Sequence, residues 1–234
     1  MAEISTPHIP EGLWLKCPDC KETLFARELE RNGRICPYCQ HHFPLSAQER
    51  IELLLEGESW RPLRSELSGA RLGIGTLEGI AVALGAVDPL ADRERRSPSE
   101  LLGALLPLLD RAARARHPLI LCVPGGYGLS VKEPLPSGLL VAWHERLNAL
   151  GDRRLPYLLV ITDPSPEHGY RVPLPLGDVV IGEAAPEEVP PLGSPAEGKP
   201  AAFPFVDRFV IRSELRADLI HLVTFFTDPM RVHG

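Results

Sequence analysis

A chain of 234 residues can carry one medium core plus a small appendage, and 44% apolar with 24% charged residues is the balance of a globular protein. The formal charge of −6 argues against a dedicated nucleic-acid binder. No stretch reaches the length of an apolar membrane span and no secretory signal is visible, so the expected location is the cytoplasm.

Residues 1–13 are polar and proline-containing and read as a tail. The first chemistry comes next. Cys17-Pro18-Asp19-Cys20 is followed, after fifteen residues, by Cys36-Pro37-Tyr38-Cys39. Two Cys-x-x-Cys pairs at this separation suit one tetrahedral Zn²⁺ held by Cys17, Cys20, Cys36 and Cys39, because a two-residue spacer lets both sulfurs of a pair face one ion. Two disulfides or a redox dithiol are the alternatives. Neither a secretory signal nor a strand-to-helix setting supports them. His41 and His42 could compete for the metal, but four thiolates already complete the shell. Glu22 to Ile35 is long enough for a short β-hairpin with Asn32-Gly33 as its turn. The ribbon spans 14–44.

Residues 45–70 read as a connecting helix and linker. Ser46 with Glu49 forms a capping box, and Ile51, Leu54 and Leu55 share one face before Gly57. From Arg71 the pattern is of strands, with Leu72 to Val87 a hairpin turning at Glu78-Gly79. Ser97-Pro98-Ser99-Glu100 reads as a second capping box, opening a helix that runs to about Arg116 with a kink at Pro107. Pro118 to Val123 and Leu155 to Thr162 are continuous apolar runs, the mark of strands buried on both faces. A helix over 138–150 lies between them, so the unit predicts a right-handed parallel crossover. Residues 177–182 read as a further short strand, and Val206 to Arg212 with a helix over 213–226 close the chain. The acidic, proline-rich 184–201 reads as a surface loop or linker.

Several of these stretches resemble one family. Trp14-Leu-Lys-Cys-Pro-Asp-Cys, Ala26-Arg-Glu-Leu-Glu-Arg-Asn, Ile35-Cys-Pro-Tyr-Cys-Gln-His-His-Phe and Ser46-Ala-Gln-Glu-Arg-Ile are similar to the zinc-ribbon start of the bacterial acetyl-CoA carboxylase carboxyltransferase β subunit. Leu155-Pro156-Tyr157 through Thr162-Asp163-Pro164 resembles a body strand of that family. The resemblance implies an α/β fold: a shortened, crotonase-like body over 71–234 behind the ribbon. It also implies a chemistry, in which carboxybiotin gives its carboxyl group to acetyl-CoA. The enolate of acetyl-CoA that takes up the carboxyl group must be stabilised in passing, its oxygen held by backbone N–H groups of glycine-rich turns.

Against that pattern Gly125-Gly126 survives as a candidate oxyanion pair, whose plainer alternative is a tight turn after a strand. Tyr127-Gly128 replaces the Ala-Arg that follows in the family, and Tyr127 adds bulk beside the turn. Ser165 to Gly169 replaces a second glycine pair, and the Met-Gly-Gly-Ser-Met-Gly loop has no counterpart between Val87 and Glu100. Cys122 reads as a buried hydrophobe, His168 as a solvated loop residue, and Trp60 and Trp143 as packing residues. Scaffold strands are kept while ligand-facing loops are changed. The expectation is therefore a non-catalytic partner in a carboxylase assembly, associating with itself or with a carboxyltransferase α-like subunit. The alternatives are an active β subunit using acetyl-CoA and carboxybiotin, and a zinc-ribbon module for nucleic acid.

Overall fold

A computed structural model describes residues 13–64, 67–89, 97–129, 132–164, 168–184 and 205–228. The chain divides into two compact units with the boundary after Pro44. Residues 1–12 of the expected tail and nearly all of 184–201 lie outside the described residues.

In the first unit β1 (Trp14–Lys16) pairs antiparallel with β2 (Thr23–Phe25), so the hairpin encloses the first cysteine pair rather than joining the two pairs. Ala26–Arg31 is a helix, α1, where a strand was expected. Ala, Arg, Glu and Leu are strong helix formers, and here local propensity prevails. Asn32-Gly33 then serves as the helix exit, with Gly33 at φ 62° and Asn32 Nδ2 donating to the Ile35 carbonyl at 2.7 Å. Leu24 and Leu29 are buried with Cys17 and Cys36 in a core of their own.

In the second unit α2 (Ala47–Leu54) begins at Ser46 with the expected capping box: Ser46 accepts from the Glu49 N–H, and Glu49 accepts from Ser46 N at 2.8 Å. Next come β3 (Arg61–Leu63), β4 (Ala70–Leu77), β5 (Ile80–Val87), α3 (Pro98–Ala115), β6 (Leu119–Pro124), α4 (Ser137–Gly151), β7 (Tyr157–Thr162), β8 (Val179–Glu183), β9 (Arg208–Val210) and α5 (Arg212–Thr227). The seven strands form one sheet in sequential order. Neighbours are antiparallel from β3 to β5 and parallel from β5 to β9. Edge strand β3 falls inside the expected linker. Three residues with Pro62 at the centre carry no strand pattern, and only the pairing with β4 makes them one. Helix α3 caps differently from expectation: Ser97 Oγ accepts from Ser99 N and donates to Glu133 at 2.6 Å.

Helices cover both faces of the sheet, which explains the continuous apolar runs. Leu119, Leu121 and Val123 of β6 join one core with Leu101, Leu105 and Leu108 of α3. The alternate residues Ile120 and Cys122 join the other, with Ile51 of α2 and Leu215 and Leu219 of α5. Trp143 is fully buried on α4 and donates its indole N–H to the Leu102 carbonyl at 2.8 Å. Among the described residues no helix is long and apolar enough to cross a membrane.

Leu105 has no exposed surface. Leu105→Ala should lower stability by about 2–5 kcal/mol, read from urea denaturation; a loss below roughly 0.5 kcal/mol would contradict this packing.

Candidate functional site

The four ribbon cysteines converge. Their sulfurs all lie within 4.8 Å of one another, with Cys17–Cys39 at 3.6 Å and Cys20–Cys36 at 3.8 Å. A tetrahedron with metal–sulfur bonds of about 2.3 Å has edges of about 3.8 Å, so the spacing fits four thiolates around one ion. These separations are far too long for disulfides, and all four cysteines are free. The two knuckles share a construction. Lys21 N–H bonds the Cys17 carbonyl at 3.1 Å, and Gln40 N–H bonds the Cys36 carbonyl at 3.0 Å. Lys21 and Gln40 both take positive φ, 64° and 62°. Burial pushes the Cys17 thiol up, but N–H groups of Asp19 and Cys20 and neighbouring thiols bring it down to about 7. At Cys20 the Glu22 N–H is outweighed by burial and the crowding of thiols, which raise it to about 12. Without a cation the four sulfurs therefore do not all ionise together. His41 is turned to Asp19, with Nδ1 at 2.7 Å from its carboxylate, and is not in the cysteine cluster.

The glycine turn sits at the end of β6. Gly125 N–H donates to the Thr162 carbonyl at 2.7 Å, continuing the β6–β7 ladder, and Gly126 N–H donates to the Arg171 carbonyl at 2.7 Å. Both amides of the candidate oxyanion pair are thus engaged within the chain. Gly126 needs its glycine for φ 79°. Gly125 needs it for space, since a Cβ there would stand 2.1 Å from the Gly169 carbonyl oxygen and 3.0 Å from the Pro164 Cα. Tyr127 is buried and belongs to the core cluster that also holds the buried leucines of α3. His168 is half-buried, and its carbonyl accepts from Arg171 N at 3.2 Å and Arg171 Nε at 3.3 Å.

Beyond this turn lies a cluster that the sequence reading did not find. Arg50 from α2, Glu183 from β8 and Arg212 from α5 are each at most 2% exposed. Glu183 receives both guanidiniums: Arg50 Nη1 bonds Oε2, and Arg212 Nε and Nη2 bond Oε1 at 2.6 Å each. Asp163, directly after β7, lies farther out, at 3.7 Å from Arg50 and 3.8 Å from Arg212. The unequal distances give the carboxyls opposite shifts. Burial would raise Glu183, but the two arginines outweigh it and hold it at about 2. At Asp163 burial outweighs the more distant arginines and the carboxyl is raised. Cys122 lies near this charge, and burial pushes its thiol up to about 12, as expected of an inert buried cysteine. Trp60 packs against the same core. For two of the three the available signal was a charge at the end of an apolar run, Glu183 after Val179 to Gly182 and Arg212 after Phe209 to Ile211. Arg50, flanked by Glu49 and followed by Ile51 and Glu52, carried no such signal.

Comparison with known proteins adds sequence and fold likeness. Residues 14–39 match a family model described as the acetyl-CoA carboxylase zinc finger domain. The acetyl-coenzyme A carboxylase carboxyl transferase subunit beta of Carboxydothermus hydrogenoformans is 30% identical over 208 residues, covering 77% of this chain and 73% of that one. The beta/alpha protein of Natranaerobius thermophilus is 28% identical over 93% of this chain and 42% of its own length. Among solved structures, a Pseudomonas malonate decarboxylase hetero-tetramer in complex with malonate matches with TM-score 0.51 at 16% identity, over 77% of this chain and 82% of that one. The P. aeruginosa geranyl-CoA carboxylase beta subunit matches with TM-score 0.50 at 12% identity, over 83% of this chain and 43% of that one.

The Glu183 carboxyl, held near 2 against an ordinary value of 4.5, stabilises the fold above pH 4.5. That stability should fade as pH falls from about 4.5 toward 2. Glu183→Gln leaves two buried guanidiniums without their carboxylate and should cost about 3–5 kcal/mol at neutral pH. Denaturation midpoints between pH 2 and 7 check both, and a Glu183→Gln protein as stable as the wild type would contradict the account.

Proposed function

We propose that this chain, which belongs to the acetyl-CoA carboxylase carboxyltransferase β-subunit family and has a crotonase-like body, acts as a non-catalytic partner in a carboxylase-type assembly. The observation that carries the proposal is the state of the glycine turn. Stabilising an enolate requires N–H groups aimed at open space where the oxygen develops. Here the Gly125 and Gly126 amides already meet the Thr162 and Arg171 carbonyls at 2.7 Å. Loss of a single such donor costs about a hundred- to a thousandfold in rate, and this turn has two committed. The glycines are explained by backbone packing, so they need no ligand to account for them.

The retained scaffold suits assembly. Comparable folds occur in a malonate decarboxylase hetero-tetramer, and one relative carries beta and alpha regions in one protein. The partner proposed for this chain is an α-like carboxyltransferase subunit or a second copy of itself. An active β subunit remains the second reading, favoured by identity extending over 73% of the Carboxydothermus subunit. It requires the Arg171 carbonyl to leave Gly126 before acetyl-CoA and carboxybiotin can react.

Cys17, Cys20, Cys36 and Cys39 are proposed to hold one structural Zn²⁺, with no position left open for catalysis. Their sulfur spacing of 3.6 and 3.8 Å supports this assignment.

Metal analysis of the purified chain should give one zinc per molecule, and Cys20→Ser should release it and unfold the first unit before the second. Well under one equivalent in the wild type would refute the assignment. Calorimetric titration with acetyl-CoA should show no binding at micromolar concentrations, while size-exclusion chromatography with an α-like subunit should show a stable complex. Micromolar acetyl-CoA affinity would favour the active reading instead.

A further inference from the structure

The segment that meets Gly126 is itself fastened. Gly169, at φ 57°, brings its carbonyl against Gly125. Arg171 then presents its carbonyl to Gly126 N–H at 2.7 Å. Between these two contacts Tyr170 is 5% exposed, and its hydroxyl donates to the Glu183 main-chain carbonyl at 2.8 Å. Its ring stands edge-on to Phe209 of β9, with centroids 5.1 Å apart. One tyrosine therefore ties the segment to β8, where the side chain of the same Glu183 binds Arg50 and Arg212.

We propose that His168–Arg171 is an internal strap, that its Arg171 carbonyl occupies the place of an external oxygen ligand on Gly126, and that Tyr170 is the positioning residue that keeps it shut. The ligand class is set by the donor. A single backbone N–H at a positive-φ glycine donates to a thioester carbonyl oxygen or a carboxylate, and only after the strap lifts. Gly125 stays bound to β7 throughout, so the opened turn offers one amide and not two. This inference rests on the non-catalytic reading of the turn and adds the element that makes it so.

Amide hydrogen exchange on the full chain tests the strap. In the wild type the Gly126 amide should exchange at least about a hundredfold more slowly than an unstructured glycine. Tyr170→Phe keeps the ring and removes only the hydroxyl. It should reduce Gly126 protection roughly fivefold, the equivalent of one net hydrogen bond, while Leu121 inside β6 is unchanged. A Gly126 amide unprotected in the wild type, or Gly126 and Leu121 losing protection together, would overturn the strap. With acetyl-CoA as probe, the Gly126 resonance should move in Tyr170→Ala and stay fixed in the wild type. Equal movement in both would overturn it as well, as would none in a Tyr170→Ala protein whose Leu121 exchange shows it folded. Turnover by a wild type with a protected Gly126 would sink the non-catalytic reading and spare the strap. An unprotected Gly126 without turnover would do the reverse.

Discussion

The Gly169 carbonyl comes so close to the Cα of Gly125 that no side chain fits between them, and the arrangement around the turn depends on that contact. Two residues on, the Arg171 carbonyl stands within hydrogen-bond reach of Gly126. A glycine pair after a buried strand admits either a ligand or another stretch of backbone, since both need the same absence of Cβ. Which of them fills the space decides whether the turn can do chemistry. In this chain the backbone fills it.

The buried ion cluster supports the same region from the opposite core. Arg50, Glu183 and Arg212 come from α2, β8 and α5, so satisfying one carboxylate fixes three elements relative to one another. A buried ion pair is weak evidence for net stability, because desolvation consumes much of the attraction. Its effect is better described as specification: each guanidinium meets Glu183 closely and Asp163 at longer range, and a slipped α2 or α5 would leave a charge buried alone. Asp163, the loosely held fourth member, sits immediately before Pro164, the residue beside Gly125. Packing on one face and charge on the other thus meet at the end of β7.

Much of the body was legible because its signals are local. Ser46 with Glu49, Glu78-Gly79 and the apolar runs of β6 and β7 each announce one structure, and each forms it. The four-cysteine cluster was legible for the same reason, two knuckles being self-contained turns. What escaped depends on distant pairing. Strand β3 exists only because β4 lies beside it. The ribbon hairpin was misplaced because helix propensity in Ala26–Arg31 outweighed the Asn-Gly turn signal. The ion cluster joins Arg50 to Glu183 across 133 positions, and no local pattern announces it. The glycine pair was visible, but its occupant was not, since Arg171 carries no motif and acts through its carbonyl.

The most direct measurement is carboxyl transfer itself, with the purified chain, an α-like carboxyltransferase subunit, biotin carboxylase, biotin carrier, ATP, bicarbonate and acetyl-CoA. A turn whose amides both meet internal carbonyls predicts malonyl-CoA at no more than the rate without the chain, even where the chain and α-like subunit co-elute. Malonyl-CoA formation that depends on this chain, saturates with acetyl-CoA and is abolished by an α-subunit-deficient control would contradict the account at its centre.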